Sequence, residues 1–260
     1  MQCPIVDKKN KVIRIKYLND QFHEYKETFS RNKKDNYIVI MAGGVGSRLK
    51  PLTNIKPKAM VIINEKPMLE ELILNLKKYG FSKIILSVNH KAKMIKDYFK
   101  DGSTFGVNIQ YIEEEKKLGT AGSLSYIAKE NLKESIIVMN CDVVTNVNFL
   151  TLLNFHKKTK SNATMCVKDY QIEIPFGVVE TNNDEVIGLL EKPSKSFFIN
   201  AGIYVLEEKA VSLVPKNSFY NMTDLFQELI RLEMNPKTFP IIENWMDVGN
   251  YEDIKNFNKF

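Results

Sequence analysis

The chain has 260 residues, of which 44% are hydrophobic, and it carries a formal net charge of +6. This length and composition suit one large α/β domain, or one domain with a small appendage, that buries a sizeable core. The basic residues are scattered, which argues against nucleic-acid binding and fits either an anionic small-molecule substrate or a solvated surface.

The sequence contains neither a long apolar run nor a signal-peptide pattern, so we expect no spanning helix, no leader and no membrane partner. Its three cysteines, Cys3, Cys141 and Cys166, lack the spacing of a metal site and leave an odd one over. These features predict a reducing, cytoplasmic setting.

Residues 1–36 form a separate N-terminal segment in this interpretation. Two short β-type runs at residues 4–6 and 12–15 flank a polar turn, which predicts a β-hairpin. Apolar residues spaced by three and four predict a helix over residues 18–29, and a charged linker follows it.

From residue 37 onward, strand and helix patterns alternate. We predict strands over residues 38–41, 84–88, 107–112 and 136–139, and helices over residues 67–80, 92–99 and 121–130. This order predicts a mostly parallel sheet covered on both faces, with ligands bound beyond the carboxyl ends of its strands. The glycine-rich loop after the first of these strands and Asp142 after the last can therefore converge.

The second half of the chain has a mixed pattern. Polar residues between two β-type runs predict a hairpin, and Thr223 or Asp224 can cap a helix that runs to residue 234. We predict strands over residues 163–167, 176–180, 186–191, 200–206 and 239–242, and helices over residues 148–158, 223–234 and 251–257.

The loop after the first strand of the alternating region carries the clearest chemical signal. Gly43, Gly44 and Gly46 follow the strand, and the cations Arg48 and Lys58 come next. A glycine loop at a strand end exposes backbone N–H groups, and cations beyond it indicate a phosphate ligand. The alternative interpretation is a surface turn with solvated lysines.

Two common phosphate-binding motifs do not match this loop. The P-loop requires its second glycine at Arg48 or Leu49, and the dinucleotide fingerprint requires its third glycine at Leu49. What remains, G-G-x-G-S/T-R-L-x-P-L-T followed by K-P-K, resembles the signature of the sugar-1-phosphate nucleotidyltransferases. The resemblance covers about residues 37–260. It implies a Rossmann-like, three-layer α/β fold with a mixed, mostly parallel central sheet, to which residues 1–36 add a hairpin and a helix.

The resemblance also implies that Asp142 and Asp247 bind one catalytic Mg²⁺. Asp247 lies in a W-x-D-V/I-G pattern that the family uses. Magnesium prefers one or two carboxylates together with substrate phosphates. Taken alone, either aspartate could be a cap or a turn residue. Cys141 stands where the family usually has glycine, and a small buried thiol there suits packing rather than chemistry.

Arg48 and Lys58 complete the catalytic set that the resemblance implies. A sugar 1-phosphate is already a nucleophile at neutral pH, because the second pKa of a phosphate monoester is about 6, so no general base is required. The enzyme must align that oxygen with the α-phosphorus and stabilise the leaving pyrophosphate. Arg48 would meet the developing phosphate charge with a two-pronged donor set, and Lys58 would neutralise the triphosphate or bridge it to the incoming phosphate.

Two loops would bind the nucleotide. One is the glycine loop, and the other is L-G-T-A-G at residues 118–122, which lies against the nucleobase in relatives, with Glu113 and Glu114 flanking the same pocket. L-G-T-A-G is common among enzymes that make GDP-sugars, although relatives that use UTP come close, so GTP is favoured. Thr120 could instead be a helix cap. The implied nucleotide-binding residues are Ala42, Gly43, Gly44, Gly46, Ser47, Glu113, Gly119, Thr120 and Ala121.

The residues implied to bind the sugar phosphate lie in the second half of the chain. Lys192 of an E-K-P motif would hold the phosphate, and Glu191 would contact sugar hydroxyls. Gly177 would let the backbone approach the sugar, and Asn200 of an N-x-G-x-Y strand would meet it. An ordinary exposed lysine at a strand end is the alternative for Lys192.

The N-terminal run C-P-I-V-D-K-K-N-K-V-I-R-I resembles the last hairpin of a CBS domain, and an unrelated hairpin is the alternative. CBS-bearing relatives include the glucosamine-1-phosphate guanylyltransferases of bacterial legionaminic acid synthesis, so glucosamine 1-phosphate is the favoured sugar. Mannose or heptose 1-phosphate with GTP, and glucose 1-phosphate with UTP or dTTP, are alternatives. A non-catalytic regulatory homologue that binds nucleotide sugars is another. A homo-oligomer could form through the hairpin edge.

Overall fold

The computed structural model describes residues 2–6, 12–17, 33–63, 65–127 and 132–257. Strand β1 (Gln2–Val6) pairs antiparallel with β2 (Val12–Tyr17), which confirms the predicted N-terminal hairpin. The predicted helix over residues 18–29 lies outside the described residues. The kinship of the hairpin to a CBS domain and the division of the chain at residue 36 stay predictions.

The alternating region and the second half form the elements that position the site. The further strands are β3 (Lys34–Met41), β4 (Ile62–Ile63), β5 (Lys66–Pro67), β6 (Phe81–Val88), β7 (Asn108–Glu113), β8 (Ile136–Asn140), β9 (Val143–Thr145), β10 (Ala163–Glu173), β11 (Val178–Asn182), β12 (Glu185–Leu190), β13 (Ser194–Leu206), β14 (Lys237–Ile241) and β15 (Trp245–Asp247). The helices are α1 (Met68–Lys78), α2 (Ala92–Phe99), α3 (Phe149–Thr159), α4 (Glu208–Val211), α5 (Met222–Arg231) and α6 (Tyr251–Phe257). Within the described residues, no helix is long and apolar enough to cross a membrane.

Seven strands form the central sheet in the order β14-β10-β13-β8-β3-β6-β7. Strand β3 runs parallel to both neighbours, β6 and β8, and only β13 runs against the rest of this sheet. The mixed, mostly parallel sheet that the sequence predicts is confirmed. The carboxyl ends of β3, β6 and β8 therefore meet at one edge of the sheet.

The side chains of β3 point alternately to the two faces of the central sheet, and this explains how the sheet and its helices form three layers. Ile38 and Ile40 belong to one buried cluster with side chains of α1, α2 and α3, whereas Val39 belongs to a second cluster with Leu225 and Leu229 of α5. Successive side chains of a strand point to opposite faces, so an unbroken apolar run buries both faces of the sheet. The sheet is thus the middle layer between two helical layers.

Two sequence predictions for helices were wrong in detail. The predicted helix over residues 121–130 is, in its described part, only a 3₁₀ turn at Gly122–Tyr126, which ends as Ile127 becomes extended. Helix α5 starts after Asn221 rather than at Thr223 or Asp224, and it ends at Arg231. The helix starts at this position because Asn221 and Asp224 form a capping box, in which the Asn221 N–H donates to the Asp224 carboxylate at 2.8 Å.

Strands β10 and β13 extend beyond the central sheet. Past Lys168 and Asn200 they pair only with each other, and the hairpin β11–β12 connects their far ends. We call residues 169–199 the arm. Nearly all of its side chains are exposed, so the arm projects from the core.

Candidate active site

The glycine loop begins at the carboxyl end of β3. The Ala42 N–H donates to the Ser87 carbonyl at 2.8 Å, which fixes the start of the loop against β6. A Cβ at Gly43 would lie 3.1 Å from the Asn89 Cβ, whereas one at Gly44 would meet no atom of the described residues within 4 Å. Gly44 therefore faces open space, where a ligand can approach the backbone.

The loop then folds back on itself and carries Lys58 inward. Gly46 has a φ of +67°, and a Cβ there would lie 2.9 Å from the Cβ of Lys58 and 2.9 Å from Cγ2 of Thr53. The Thr53 hydroxyl donates to the Gly46 carbonyl at 2.8 Å. Only glycine satisfies both the left-handed backbone and this close contact.

Lys58 forms an ion pair with Asp142. Its side chain is 9% exposed and that of Asp142 is 17% exposed, so water screens the pair only weakly. Asp142 follows β8, the sheet neighbour of β3. The pair therefore joins the loop after β3 to the loop after β8, as the sequence predicts for residues at this edge of the sheet.

A short antiparallel ladder brings Asp247 beside Asp142. Strands β9 and β15 pair so that Asp247 lies opposite Val143, and the Val248 N–H donates to the Asp142 carbonyl at 2.9 Å. Both aspartates were predicted to form one site, but these two three-residue strands were not predicted. The apolar run at residues 143–144 was the available signal.

The two carboxylates influence each other strongly. Burial of the Asp247 carboxyl, followed by repulsion from the Asp142 carboxylate, raises the pKa of Asp247 to about 6, although Lys58 and Arg48 oppose the shift. Asp142 Oδ1 is buried and has no hydrogen-bond partner among the described residues. An orphaned carboxylate oxygen of this kind calls for a cation or a donor from a ligand.

These residues fit a magnesium ion. They offer two adjacent carboxylates, one of them with an oxygen that lacks a partner. No group of three or more His, Cys, Asp or Glu side chains suited to a metal occurs among the residues that the structure describes. Magnesium needs only one or two carboxylates when substrate phosphates and water complete its coordination.

Arg48 lies close to Asp247, where its charge opposes the rise in the pKa of that carboxyl. A Cβ at Gly249 would lie 3.5 Å from Nη1 of Arg48, so glycine at this position leaves room for the guanidinium group. Gly249 follows Asp247 by two residues in the W-M-D-V-G stretch. Arg48, Lys58, Asp142 and Asp247 are therefore all brought together.

A cavity of about 260 Å³ opens beside these residues. It is lined by Met41, Gly43, Gly44, Lys58, Glu114, Lys117, Leu118, Gly119, Thr120, Asn140, Cys141, Asp142 and Phe219. Four of these residues were not predicted from the sequence as part of the site, namely Met41, Lys117, Asn140 and Phe219. Burial, followed by the charge of Asp142, raises the pKa of the Cys141 thiol, which fits the packing role predicted for it.

The L-G-T-A-G loop is fixed by a second segment, residues 218–222. The Tyr220 carbonyl accepts from the N–H groups of Ala121 at 2.9 Å and Gly122 at 3.0 Å, and the Tyr220 N–H donates to Leu118. Side chains at either glycine of the loop would collide with this segment, since a Cβ at Gly119 would lie 2.6 Å from the Tyr220 carbonyl oxygen.

Thr120 contacts the N-terminus of a helix, which supports the alternative prediction that it is a helix cap. Its hydroxyl accepts from the Met222 N–H at 2.8 Å at the start of α5, and the residue also lines the cavity. Thr120 thus satisfies a donor at a helix N-terminus, although the helix is not the one that follows it in the chain.

Several predicted nucleotide-binding residues do not line the cavity. Glu113 forms an ion pair with Lys96, whereas Glu114 faces the cavity because strand alternation turns consecutive side chains apart. Ala42 and Ala121 are buried, and each uses its N–H within the fold. Ser47 is exposed on a 3₁₀ turn next to Arg48.

The predicted sugar-binding residues divide into two groups. The Asn200 side chain accepts from the Gly202 N–H at 2.9 Å, and a Cβ at Gly202 would lie 2.8 Å from Nδ2 of Asn140, which lines the cavity. Gly177, Glu191 and Lys192 lie exposed on the arm and do not line the cavity. Gly177 and Glu191 are neighbours, since a Cβ at Gly177 would lie 3.2 Å from Oε2 of Glu191.

The fold and site define a Rossmann-like α/β protein in which a glycine loop with cations faces a pair of carboxylates. Residues 37–260 match the family described as Nucleotidyl transferase. The chain belongs to this family.

Two curated relatives are 30% and 32% identical to this chain over the aligned residues. The chain is 32% identical over 234 residues to a UTP–glucose-1-phosphate uridylyltransferase of Synechocystis, with 83% of this chain and 60% of the relative covered. It is 30% identical over 221 residues to a mannose-1-phosphate guanylyltransferase of Mycobacterium tuberculosis, with 83% and 61% covered. The chain thus spans about three fifths of the length of the curated relatives it matches.

Two solved structures of one protein have a fold similar to that of this chain. HddC from Yersinia pseudotuberculosis superposes with a TM-score of 0.67 at 27% identity, covering 86% of this chain and 99% of HddC. HddC complexed with GMP-PN superposes with a TM-score of 0.65 at 26% identity, covering 86% and 98%.

Proposed function

We propose that the protein transfers a nucleoside monophosphate from a nucleoside triphosphate to a sugar 1-phosphate, giving a nucleotide sugar and pyrophosphate. The observation that carries this proposal is the convergence of Arg48, Lys58, Asp142 and Asp247 beside a cavity lined by the glycine loop. Relatives named as glucose-1-phosphate uridylyltransferase and mannose-1-phosphate guanylyltransferase support the same reaction type.

The reaction needs positioning and charge neutralisation more than proton transfer. A phosphate oxygen of the sugar 1-phosphate attacks the α-phosphorus, and a new P–O bond forms. The bond from the α-phosphorus to the bridging oxygen of the β-phosphate breaks, and its electron pair leaves with pyrophosphate. Lys58 and Arg48 lie where they can stabilise the charge that develops on the phosphates.

The carboxylates would complete this arrangement. Asp142 and Asp247 would hold Mg²⁺, which supplies positive charge at the α-phosphate when it is bound. Lys58 would then be released from its pairing with Asp142 to neutralise the triphosphate. The described residues that line the cavity include no histidine, and burial raises the pKa of the Cys141 thiol among them, in keeping with a phosphate nucleophile that needs no base.

GTP is the nucleotide that we favour. Glu114 lines the cavity, where Ser87 donates to Oε1 at 2.6 Å and the Leu118 N–H donates to Oε2 at 3.2 Å. Each carboxylate oxygen can accept a second hydrogen bond, and the Watson–Crick edge of guanine offers two adjacent donors. The names of the mannose-1-phosphate guanylyltransferases and the GMP-PN complex of HddC support this choice. UTP and dTTP are the alternatives.

Glucosamine 1-phosphate is the sugar phosphate that we favour, on the resemblance of the N-terminal hairpin to a CBS domain. Mannose 1-phosphate, which appears in the names of several relatives, and heptose 1-phosphate are the next candidates, ahead of glucose 1-phosphate. Asn200, whose side chain bonds to Gly202 near the cavity residue Asn140, would contact the sugar, and Lys192 and Glu191 of the arm would contact its phosphate and hydroxyls.

A substrate panel tests the proposal. Pyrophosphate release is measured for GTP, UTP, ATP and dTTP with glucosamine, N-acetylglucosamine, mannose and glucose 1-phosphates in the presence of Mg²⁺. We expect one combination to dominate and Asp142→Asn to lower its rate by orders of magnitude. Asp97→Asn, at an exposed site on α2, is the matched control. Failure of every combination, together with retained binding of nucleotide sugars, would favour the regulatory homologue.

A further inference from the structure

Phe219 is an exposed aromatic side chain on the wall of the cavity. It lines the cavity together with Gly119 and Thr120, and it is 62% exposed. Within the described part of the chain, no other aromatic ring and no cation packs on it. A large apolar ring that is exposed on the wall of a cavity offers a contact surface for a ligand.

The backbone on both sides of Phe219 is fixed. Tyr220 exchanges hydrogen bonds with the L-G-T-A-G loop, accepting from Ala121 at 2.9 Å and donating to Leu118 at 2.9 Å. On the other side, a Cβ at Gly122 would lie 2.6 Å from the Ser218 carbonyl oxygen, so the two segments are in close contact. The ring is therefore presented to the cavity from a held segment, which limits the entropy lost when a ligand packs on it.

The cavity wall divides by chemistry. Lys58 and Asp142 form its charged part, and the glycine loop contributes backbone. Phe219 and Leu118 contribute apolar surface to another part, where Glu114 adds a carboxylate and Lys117 an ammonium group. A nucleotide has the same division, because its phosphates are charged while its base has apolar faces and a hydrogen-bonding edge.

We infer that Phe219 is a stacking platform for the base of the bound nucleotide and favours purines over pyrimidines. The inference rests on the proposed function, since it assigns the base of the nucleotide to this part of the cavity. A purine presents two fused rings, so it covers more of the phenyl face than a pyrimidine does. Stacking supplies affinity without reading the edge of the base, a task that is left to Glu114.

The test compares nucleotides with a ligand that has no base. Dissociation constants of GTP, UTP and pyrophosphate are measured by calorimetry, with Mg²⁺, for the wild-type protein and for Phe219→Ala and Phe219→Trp. We expect Phe219→Ala to raise the dissociation constant of GTP about tenfold and that of UTP by less. The dissociation constant of pyrophosphate should not change. Phe219→Trp keeps an aromatic face at this position, so it should bind GTP about as tightly as the wild-type protein does. Phe176→Ala, at a 73% exposed position on the arm, is the matched control and should change none of the constants.

Two results would overturn the inference. One is unchanged GTP affinity in Phe219→Ala, and the other is an equal loss for GTP and pyrophosphate, which would indicate a general disturbance of the site. Because the ring is exposed, the melting temperature of Phe219→Ala should stay close to that of the wild type. Failure of the proposed function gives a different pattern, in which no combination of nucleotide and sugar phosphate releases pyrophosphate from the wild-type protein.

Discussion

Gly46 lies in contact with Lys58, at a distance of 2.9 Å between the two Cβ positions if residue 46 had a side chain. Gly46 also has a φ of +67°. One glycine thus allows both the reversal of the loop and the inward course of the lysine that pairs with Asp142. The glycine spacing from which the sequence predicts phosphate binding thus also has a structural role in the loop.

Gly46→Ala should lower stability and activity together. The left-handed backbone and the contact with Lys58 and Thr53 predict a loss of about 1–3 kcal/mol in the free energy of unfolding. The displaced lysine should also reduce pyrophosphate release. Denaturant unfolding measures the loss, with Gly44→Ala as the control, because a Cβ there meets nothing within 4 Å. Equal unfolding midpoints for the two variants would contradict the prediction.

The Lys58–Asp142 pair should be coupled in a double-mutant cycle. Removal of one partner leaves the other charge poorly solvated, so Asp142→Asn should cost about 2 kcal/mol in metal-free buffer. The loss is moderated because the substitution also removes repulsion on Asp247. The further change Lys58→Met in the Asp142→Asn background should cost less than it does alone.

The exposed pair of Lys83 and Asp35, with Nζ 2.8 Å from Oδ1, provides the comparison. Its side chains are 40% and 84% exposed, and salt and water screen it, so Asp35→Asn should change stability little. Additive effects at Lys58 and Asp142 would show that the ion pair does not contribute to stability.

Magnesium binding should depend on pH through Asp247. Its pKa of about 6 lies above the ordinary value of 3.8, so folding of the metal-free protein favours the protonated carboxyl. That contribution to stability is fully present below 3.8 and is lost as the pH rises through about 6. A metal requires the charged carboxylate, so Mg²⁺ affinity should fall about tenfold for each pH unit below about 6.

The Mg²⁺-induced rise in melting temperature, followed from about pH 5 to about pH 8, measures this dependence. The rise should be large at neutral pH and small at about pH 5. Asp247→Asn should remove both the rise and its pH dependence. A rise of the same size across this range would refute the coupling of the metal to Asp247.

Lys192→Ala should affect the two substrates unequally. If Lys192 holds the phosphate of the sugar 1-phosphate, the KM for that substrate should rise about tenfold or more, while the KM for the nucleotide changes little. Lys195→Ala, at an exposed lysine of the same arm, is the matched control. Similar increases for both substrates would argue against the assigned role.

Much of the fold could be predicted from local sequence. The run Ile38-Val39-Ile40 alternates between two cores, and helix α2 has the predicted bounds, because the periodicity of apolar residues directly reflects burial. The side chains with catalytic chemistry, Lys58 and Asp142, could be identified too. The loop that carries Lys58 begins at the end of β3, and Asp142 closely follows the end of β8, at the edge where the topology of a parallel sheet places ligands.

Predictions failed where distant backbone segments decide the outcome. Residues 121–130 carry a helical pattern, but the N–H groups of Ala121 and Gly122 bond to Tyr220, and the described part forms only a 3₁₀ turn. Glu113 and Glu114 have the same chemistry and adjacent positions, so only the orientation of the strand determines which of them faces the cavity.

The glycine loop, its cations and the two aspartates are therefore properties of the sequence itself, since each is marked by residue type and spacing. Their assembly depends on tertiary structure. The ladder of β9 with β15 brings Asp247 to Asp142, and the contact of residues 118–122 with residues 218–222 holds Phe219 at the cavity. Both contacts join segments about a hundred residues apart through backbone hydrogen bonds, which any residue except proline can donate, so residue type alone does not reveal them.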